Sequence, residues 1–164
     1  MKVVQHATRD RDVERQVEVG QVATGVGNLL GIAEELDAHP APGKWSAREI
    51  VHHLADSEMT AAVRFRLLLA EDRPAIKGYN QDEFARRLHY ERPHEASLEL
   101  FRAARADTVE LMACLSEADW LREGTHSEVG RFGLDTWLRI YGPHAHRHAD
   151  QIRVARSSLN QEPR

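Results

Sequence analysis

The chain has 164 residues, 41% hydrophobic and 29% charged, with 22 Lys and Arg against 26 Asp and Glu for a net charge of −4. That length suits a single domain spanning residues 1–164 and is too short for two ordinary ones, and the acidic balance gives nucleic acid no electrostatic claim as a partner. No apolar run reaches the roughly 18 residues of a membrane span, MKVVQHATRDRDVERQ lacks the apolar core of a signal peptide, and the lone Cys114 excludes an internal disulfide or a thiolate zinc cluster, so a cytoplasmic protein away from membranes is expected.

Frequent Ala, Leu, Glu and Arg lean the chain towards helix. From about Asp10 to Leu36, Val13, Val17, Val22, Val26, Leu29, Leu30 and Ile32 recur at near-helical spacing, although Gly20, Gly25, Gly27 and Gly31 weaken that helix unless they pack closely on a neighbour. DAHPAPGK breaks the chain. In the next segment Ser46 with Glu49 forms a capping-box pattern, so a second helix starts there and turns Ile50, Leu54, Ala61, Phe65 and Leu68 inward. KGYNQDEFARRL holds a short helical segment with Asn80 and Glu83 in capping positions. EASLELFRAARADTVELMACLSEADW reads as a third long helix carrying Leu98, Phe101, Ala104, Val109, Met112 and Leu115 on one face. EGTHSEVGRFG is turn-rich and reads as a small hairpin. A fourth helix runs from about Leu134 towards Ser158, with a kink expected at Gly142–Pro143, because proline cannot donate to the helical ladder. Four long helices point to an all-α four-helix bundle.

The last helix carries YGPHAHRHADQI. His144 and His148 share a face with Gln151, while His146 points roughly the opposite way. HHLAD in the second helix offers His52 or His53, about 100° apart, so only one is expected to face inward, and periodicity leaves the choice open. Facing helices of a bundle can hold a metal between such residues, and three imidazole ligands would leave a coordination position open. Glu49, Asp56 and Gln151 are candidates to orient a ligand or a bound water. The plainer readings are a capping role for Glu49, a solvated Asp56, a buried Cys114, and surface or loop positions for His52, His89, His94, His126 and His146.

GKWSAREIVHHLADSEM, RFRLLLAEDRPAIKGYNQDEF and HAHRHADQI together resemble the DinB/YfiT-like superfamily, its YfiT-like branch most closely, over roughly Lys44 to Arg156. The resemblance implies an up-down-down-up four-helix bundle, a homodimer, and a divalent metal, zinc or nickel, held by three histidines. Matched position by position these are His53, His144 and His148. Two departures stand out: Glu58 occupies a position where close relatives sometimes carry histidine, and Gly142–Pro143 is not general in the family.

Three functions follow as expectations. The resemblance implies a metal-dependent S-transferase that passes a low-molecular-weight thiol such as bacillithiol to an electrophilic small molecule, the metal holding the thiolate. Arg64, Arg139 or Arg147 would be available to a substrate carboxylate. The alternative is a metal-dependent hydrolase with Glu49 or Asp56 as general base. A further alternative is a non-catalytic, stress-related bundle that the metal stabilises.

Overall fold

A computed structural model describes residues 36–159. The helix expected before Leu36 lies outside the described residues. The remainder runs α1 (Ala47–Ala70), β1 (Ala75–Ile76), α2 (Gln81–Arg87), α3 (Glu95–Ala113), a 3₁₀ turn (Asp119–Leu121), β2 (Glu123–His126), β3 (Gly130–Gly133), α4 (Leu134–Tyr141) and α5 (His144–Leu159). This is the all-α class expected, and no helix among the described residues is long and apolar enough to cross a membrane.

α1 is the central element, packing on α3, α4 and α5. Its start is set by the capping box: Ser46 Oγ accepts from Glu49 N, and Glu49 Oε2 accepts from Ser46 N at 2.7 Å. Its apolar residues feed two clusters. The one near its N-terminus joins Ile50, Leu54 and Ala55 to Phe101, Ala149 and Ile152. The other joins Ala61, Phe65 and Leu68 to Met112, Phe132, Trp137 and Leu138. Each large side chain sealed this way is worth about 1.5–3 kcal/mol, and the Trp137 indole also donates to Ala61 O at 2.8 Å.

Because α1 has neighbours on several sides, its polar residues are buried too, which corrects the expectation that only one of His52 and His53 faces inward. Both are closed off from solvent. His52 turns to α3, where Nδ1 meets Ser97 Oγ at 2.7 Å and Nε2 meets Arg92 O at 3.0 Å, while His53 turns to α5. Asp56 is likewise buried rather than solvated, accepting from the Tyr90 hydroxyl at 2.7 Å. His126 is buried under Phe132, and Cys114, at the end of α3, is exposed. α3 itself stops at Ala113, short of the stretch read as helix, and buries Arg105 and Thr108 beside Leu98, Phe101 and Met112, while Ala104 and Val109 are only half-buried and Leu115 lies past its end.

The expected hairpin is β2–β3, paired antiparallel with Glu123 opposite Gly133, and β1 adds a parallel edge to β2. Gly130 supplies the left-handed residue (φ +73°) at the end of the turn, where a side chain would be strained. The final helix is divided at Gly142–Pro143: Gly142 N still bonds Leu138 O, the proline has no N–H to give, and Arg147 N restarts the ladder on Pro143 O. α5 thus begins at His144.

Candidate metal centre

His53 lies near the end of the second turn of α1, held with its neighbours by packing on either side, whereas His144 opens α5 and His148 follows one turn later. The ligand nitrogens of the three histidines lie within 4.8 Å of one another. His53 Nε2 is 3.4 Å from His144 Nε2, and His144 Nε2 is 3.2 Å from His148 Nε2. Two imidazole nitrogens bound at about 2.0–2.1 Å to one tetrahedral ion stand about 3.3–3.4 Å apart, so these spacings fit a shared ion. Among the described residues this is the one His, Cys, Asp or Glu group close enough to hold a metal.

The surrounding bonds point the same way. Gln151 Oε1 lies 2.8 Å from His148 Nδ1 and accepts its proton, which leaves the Nε2 lone pair directed at His144. Ser57 Oγ lies 3.5 Å from His144 Nδ1. With Nδ1 protonated in both rings, two lone pairs would confront each other at 3.2 Å, an arrangement a cation between them relieves. His53 Nδ1 is buried without a hydrogen-bond partner among the described residues, and its ring packs against Trp45 at a centroid distance of 4.8 Å.

Burial is the main reason all three imidazoles resist protonation. His53 is pushed down to about 4, with His148 contributing, and His144 to about 3, with His148 and His53 contributing. His148 is lowered by burial against the opposing pull of Gln151. At neutral pH the triad is therefore uncharged, the state in which imidazole binds a metal.

Neither carboxylate proposed as a base is bonded to the triad among the described residues. Glu49 is committed to the capping box, with His39 Nδ1 3.6 Å from its Oε2, and Asp56 receives Tyr90. Of the arginines, Arg64 donates to Tyr141 Oη and Lys77 O, both at 2.5 Å, while Arg139 and Arg147 are exposed. Beside His148 opens a cleft of ≈ 570 Å³, whose described walls include Lys44, Trp45, Ile50, Asp82 and Gln151. Trp45 carried no signal as a site residue in the sequence beyond its place in the Trp-Ser helix start.

Comparison with known proteins gives the family. The sequence model of the DinB superfamily matches residues 29–152. A protein of Oceanobacillus iheyensis named as a candidate metal-dependent hydrolase is 36% identical over 119 residues, which is 73% of this chain and 69% of that one. A Bacillus mycoides protein given the same description is 31% identical over 127 residues, 77% of this chain and 73% of that one. Among solved structures, YfiT from Bacillus subtilis, described as a candidate metal-dependent hydrolase with an unusual four-helix-bundle topology, superposes with a TM-score of 0.82 at 25% identity, covering 93% of this chain and 88% of its own. A DinB-like protein of Bacillus subtilis shares the fold with a TM-score of 0.60 at 15% identity, over 93% of this chain and 94% of that one.

Proposed function

This chain belongs to the DinB/YfiT-like superfamily, and on that premise we propose that it is a metal-dependent hydrolase of small molecules, with His53, His144 and His148 holding a divalent ion through Nε2. The observation that carries the reading is the convergence of three uncharged imidazole nitrogens at spacings of 3.2 and 3.4 Å, with no fourth protein ligand in the group among the described residues. When bound, the ion would supply Lewis acidity, lowering the pKa of water to about 7, stabilising a thiolate in the same position and polarising a carbonyl.

The chain's own residues supply orientation and shelter. Gln151 fixes the His148 ring, and the Trp45 indole covers one side of His53 and extends into the cleft, which gives an apolar substrate portion a wall to lie against. Three neutral ligands leave the ion's full charge uncompensated, the donor set that most favours ionising water.

One observation favours a second reading. Glu49 and Asp56 have other partners, so among the described residues no carboxylate is bonded beside the triad to accept a proton from water. Transfer of a thiol, which ionises far more readily than water, has less need of such a base, and this supports the S-transferase with a low-molecular-weight thiol such as bacillithiol.

The test is metal content by plasma mass spectrometry of untagged protein, with His53→Ala and His148→Ala beside it. Cobalt-loaded protein is then titrated with bacillithiol, glutathione and cysteine and assayed against a panel of small esters and amides. Near-stoichiometric metal, lost in both variants, with ester or amide turnover supports the hydrolase. A thiolate-to-cobalt charge-transfer band without hydrolysis moves the assignment to the transferase. Equal metal content in the variants and the parent overturns both.

A further inference from the structure

Two charged side chains, Lys44 and Asp82, stand among the described walls of the cleft beside His148, together with Trp45, Ile50 and Gln151. Local bonds set where each begins. Ala41–Pro42–Gly43–Lys44 follows the pattern of a type II turn: Lys44 N donates to Ala41 O at 3.1 Å, proline takes the second place, and Gly43 at φ +73° takes the third. His39 Nδ1 holds the far side of that turn, 2.7 Å from Lys44 O. Asp82 comes from another element, the first turn of α2, where Asn80 Oδ1 accepts from Asp82 N at 3.0 Å and from Glu83 N at 3.1 Å.

The charges next to these two in sequence are spent within the protein. Arg48 pairs with Asp37, Glu49 closes the α1 cap, and Glu83 holds Arg86 and Arg87. Lys44 and Asp82 are engaged only through their backbones, so among the described residues the ammonium and the carboxylate have no partner, each other included. A cleft of ≈ 570 Å³ suits a small molecule of ordinary size. Such a molecule meets a metal ligand at His148, an apolar wall at Trp45 and Ile50, one cation and one anion. A phosphate or a dicarboxylate finds one of those charges favourable and the other opposed. A neutral apolar molecule crowds both charges and pairs neither.

We infer that the cleft selects a zwitterionic substrate of amino-acid type, Lys44 receiving its carboxylate and Asp82 its ammonium group, with the carbon chain against Trp45 and the reacting group at His148. The inference rests on the metal-site reading above and names the class of molecule that the site takes. It also moves the carboxylate contact away from the arginines expected to make it. Arg64 is tied to Tyr141 and to Lys77 O, and neither Arg139 nor Arg147 stands among the described walls of the cleft. Both Lys44 and Asp82 are exposed, so each ion pair with a substrate is modest and weakens with salt.

The test uses hydroxamates, which anchor on a metal, with tails that differ in charge alone. Glutamate γ-hydroxamate carries a carboxylate and an ammonium, glutaric monohydroxamate the carboxylate, γ-aminobutyric hydroxamate the ammonium, and butyric hydroxamate neither. Homologues one methylene shorter and longer cover the reach. Binding to the zinc-loaded full chain is measured by calorimetry at low and high salt, for wild type, Lys44→Met and Asp82→Asn. Wild type should rank the zwitterion first, each charge adding up to about 5-fold, the upper end for an exposed ion pair, and high salt should erase the ranking. Lys44→Met should remove the share of the carboxylate and leave the ammonium probe unchanged, and Asp82→Asn should do the reverse. Hydroxamates that bind regardless of tail charge, or with a preference for one charge alone, overturn this inference and leave the metal site standing. Zinc-loaded protein that binds no hydroxamate overturns it as well. Failure of wild type to bind zinc overturns the metal-site reading and this inference together.

Discussion

Arg105 grips Glu58 through two bonds, Nε to Oε1 at 2.8 Å and Nη2 to Oε2 at 2.5 Å, with both side chains closed off from solvent. The pair joins α1 to α3, and Arg105 Nη2 also reaches Tyr141 O at 3.3 Å, at the end of α4 just before the break that leads into α5. Burial pushes the Glu58 carboxyl above its usual range, and the Arg105 charge and hydrogen bonds oppose that push. Removing one partner leaves a buried charge uncompensated, which costs roughly 3–5 kcal/mol, whereas replacing both with apolar residues of similar volume is often near neutral. Arg105→Met should therefore lower urea stability by about that amount, and Glu58→Leu with Arg105→Met should recover most of it. A single variant within 1 kcal/mol of wild type would mean that the pair is already offset by water or by Tyr141.

Glu49 can be assigned by the difference between a cap and a base. A capping box accepts Gln in place of Glu, so Glu49→Gln should change stability by less than about 0.5 kcal/mol, while Ser46→Ala should cost about 1 kcal/mol by thermal unfolding. Neither should alter zinc affinity. If Glu49 were the proton acceptor of a hydrolytic reaction, Glu49→Gln would reduce turnover by about 100-fold or more with stability unchanged. Turnover that survives the substitution leaves the carboxylate as a helix cap and nothing else.

The pattern of legibility has a physical basis. Ile50, Leu54, Ala61, Phe65 and Leu68 announced the inward face of α1 because helical period and burial coincide there, and all five are buried. Ser46 and Asn80 were readable as caps because the cap is a local bond, made in the structure as expected, although Glu83 pairs with Arg86 and Arg87 instead of closing a box. His144 and His148 were visible as a face one turn apart, but which of His52 and His53 joins them depends on where α3 and α5 lie around α1, and a one-dimensional period holds no such information. The same limit hid Asp56–Tyr90 and Glu58–Arg105: each pairs residues far apart in sequence, and each polar residue on its own reads as solvated surface. The parallel strand β1 escaped notice because two residues carry no alternation.

Buried neutral histidines predict how the metal-free protein responds to acid. His53 and His144 are held to about 4 and about 3, and His52, His126 and His148 are also lowered, burial being the largest cause in each. In the unfolded chain they protonate near 6.5, so below that pH the unfolded state binds more protons than the native state and stability rises with pH. Each fully titrating histidine contributes a slope of about 1.4 kcal/mol per pH unit within the window between its folded value and 6.5. Urea unfolding of chelator-treated protein should show stability falling from pH 7 to pH 5, a range in which most carboxylates stay ionised. His53→Phe should flatten that fall. A stability independent of pH over this range would mean that the triad is not buried in the neutral form.

Removing the metal separates a site built on a finished fold from a metal that makes the fold. Two apolar clusters, one with Phe101 and Ile152 and one with Phe65 and Trp137, pack the helices that carry the histidines, and neither includes a histidine. Circular dichroism of chelator-treated protein should therefore retain its helical signal and a cooperative thermal transition. Zinc at 100 times its dissociation constant should raise stability by about 2.7 kcal/mol, as any ligand of the native state does, and no more. Loss of the cooperative transition on chelation would overturn this and favour the structural reading, in which binding and folding are one event. Retained folding with activity that is lost on chelation and restored by zinc or cobalt would place the ion's role in chemistry, with α1 and α5 as a scaffold already formed before the metal arrives.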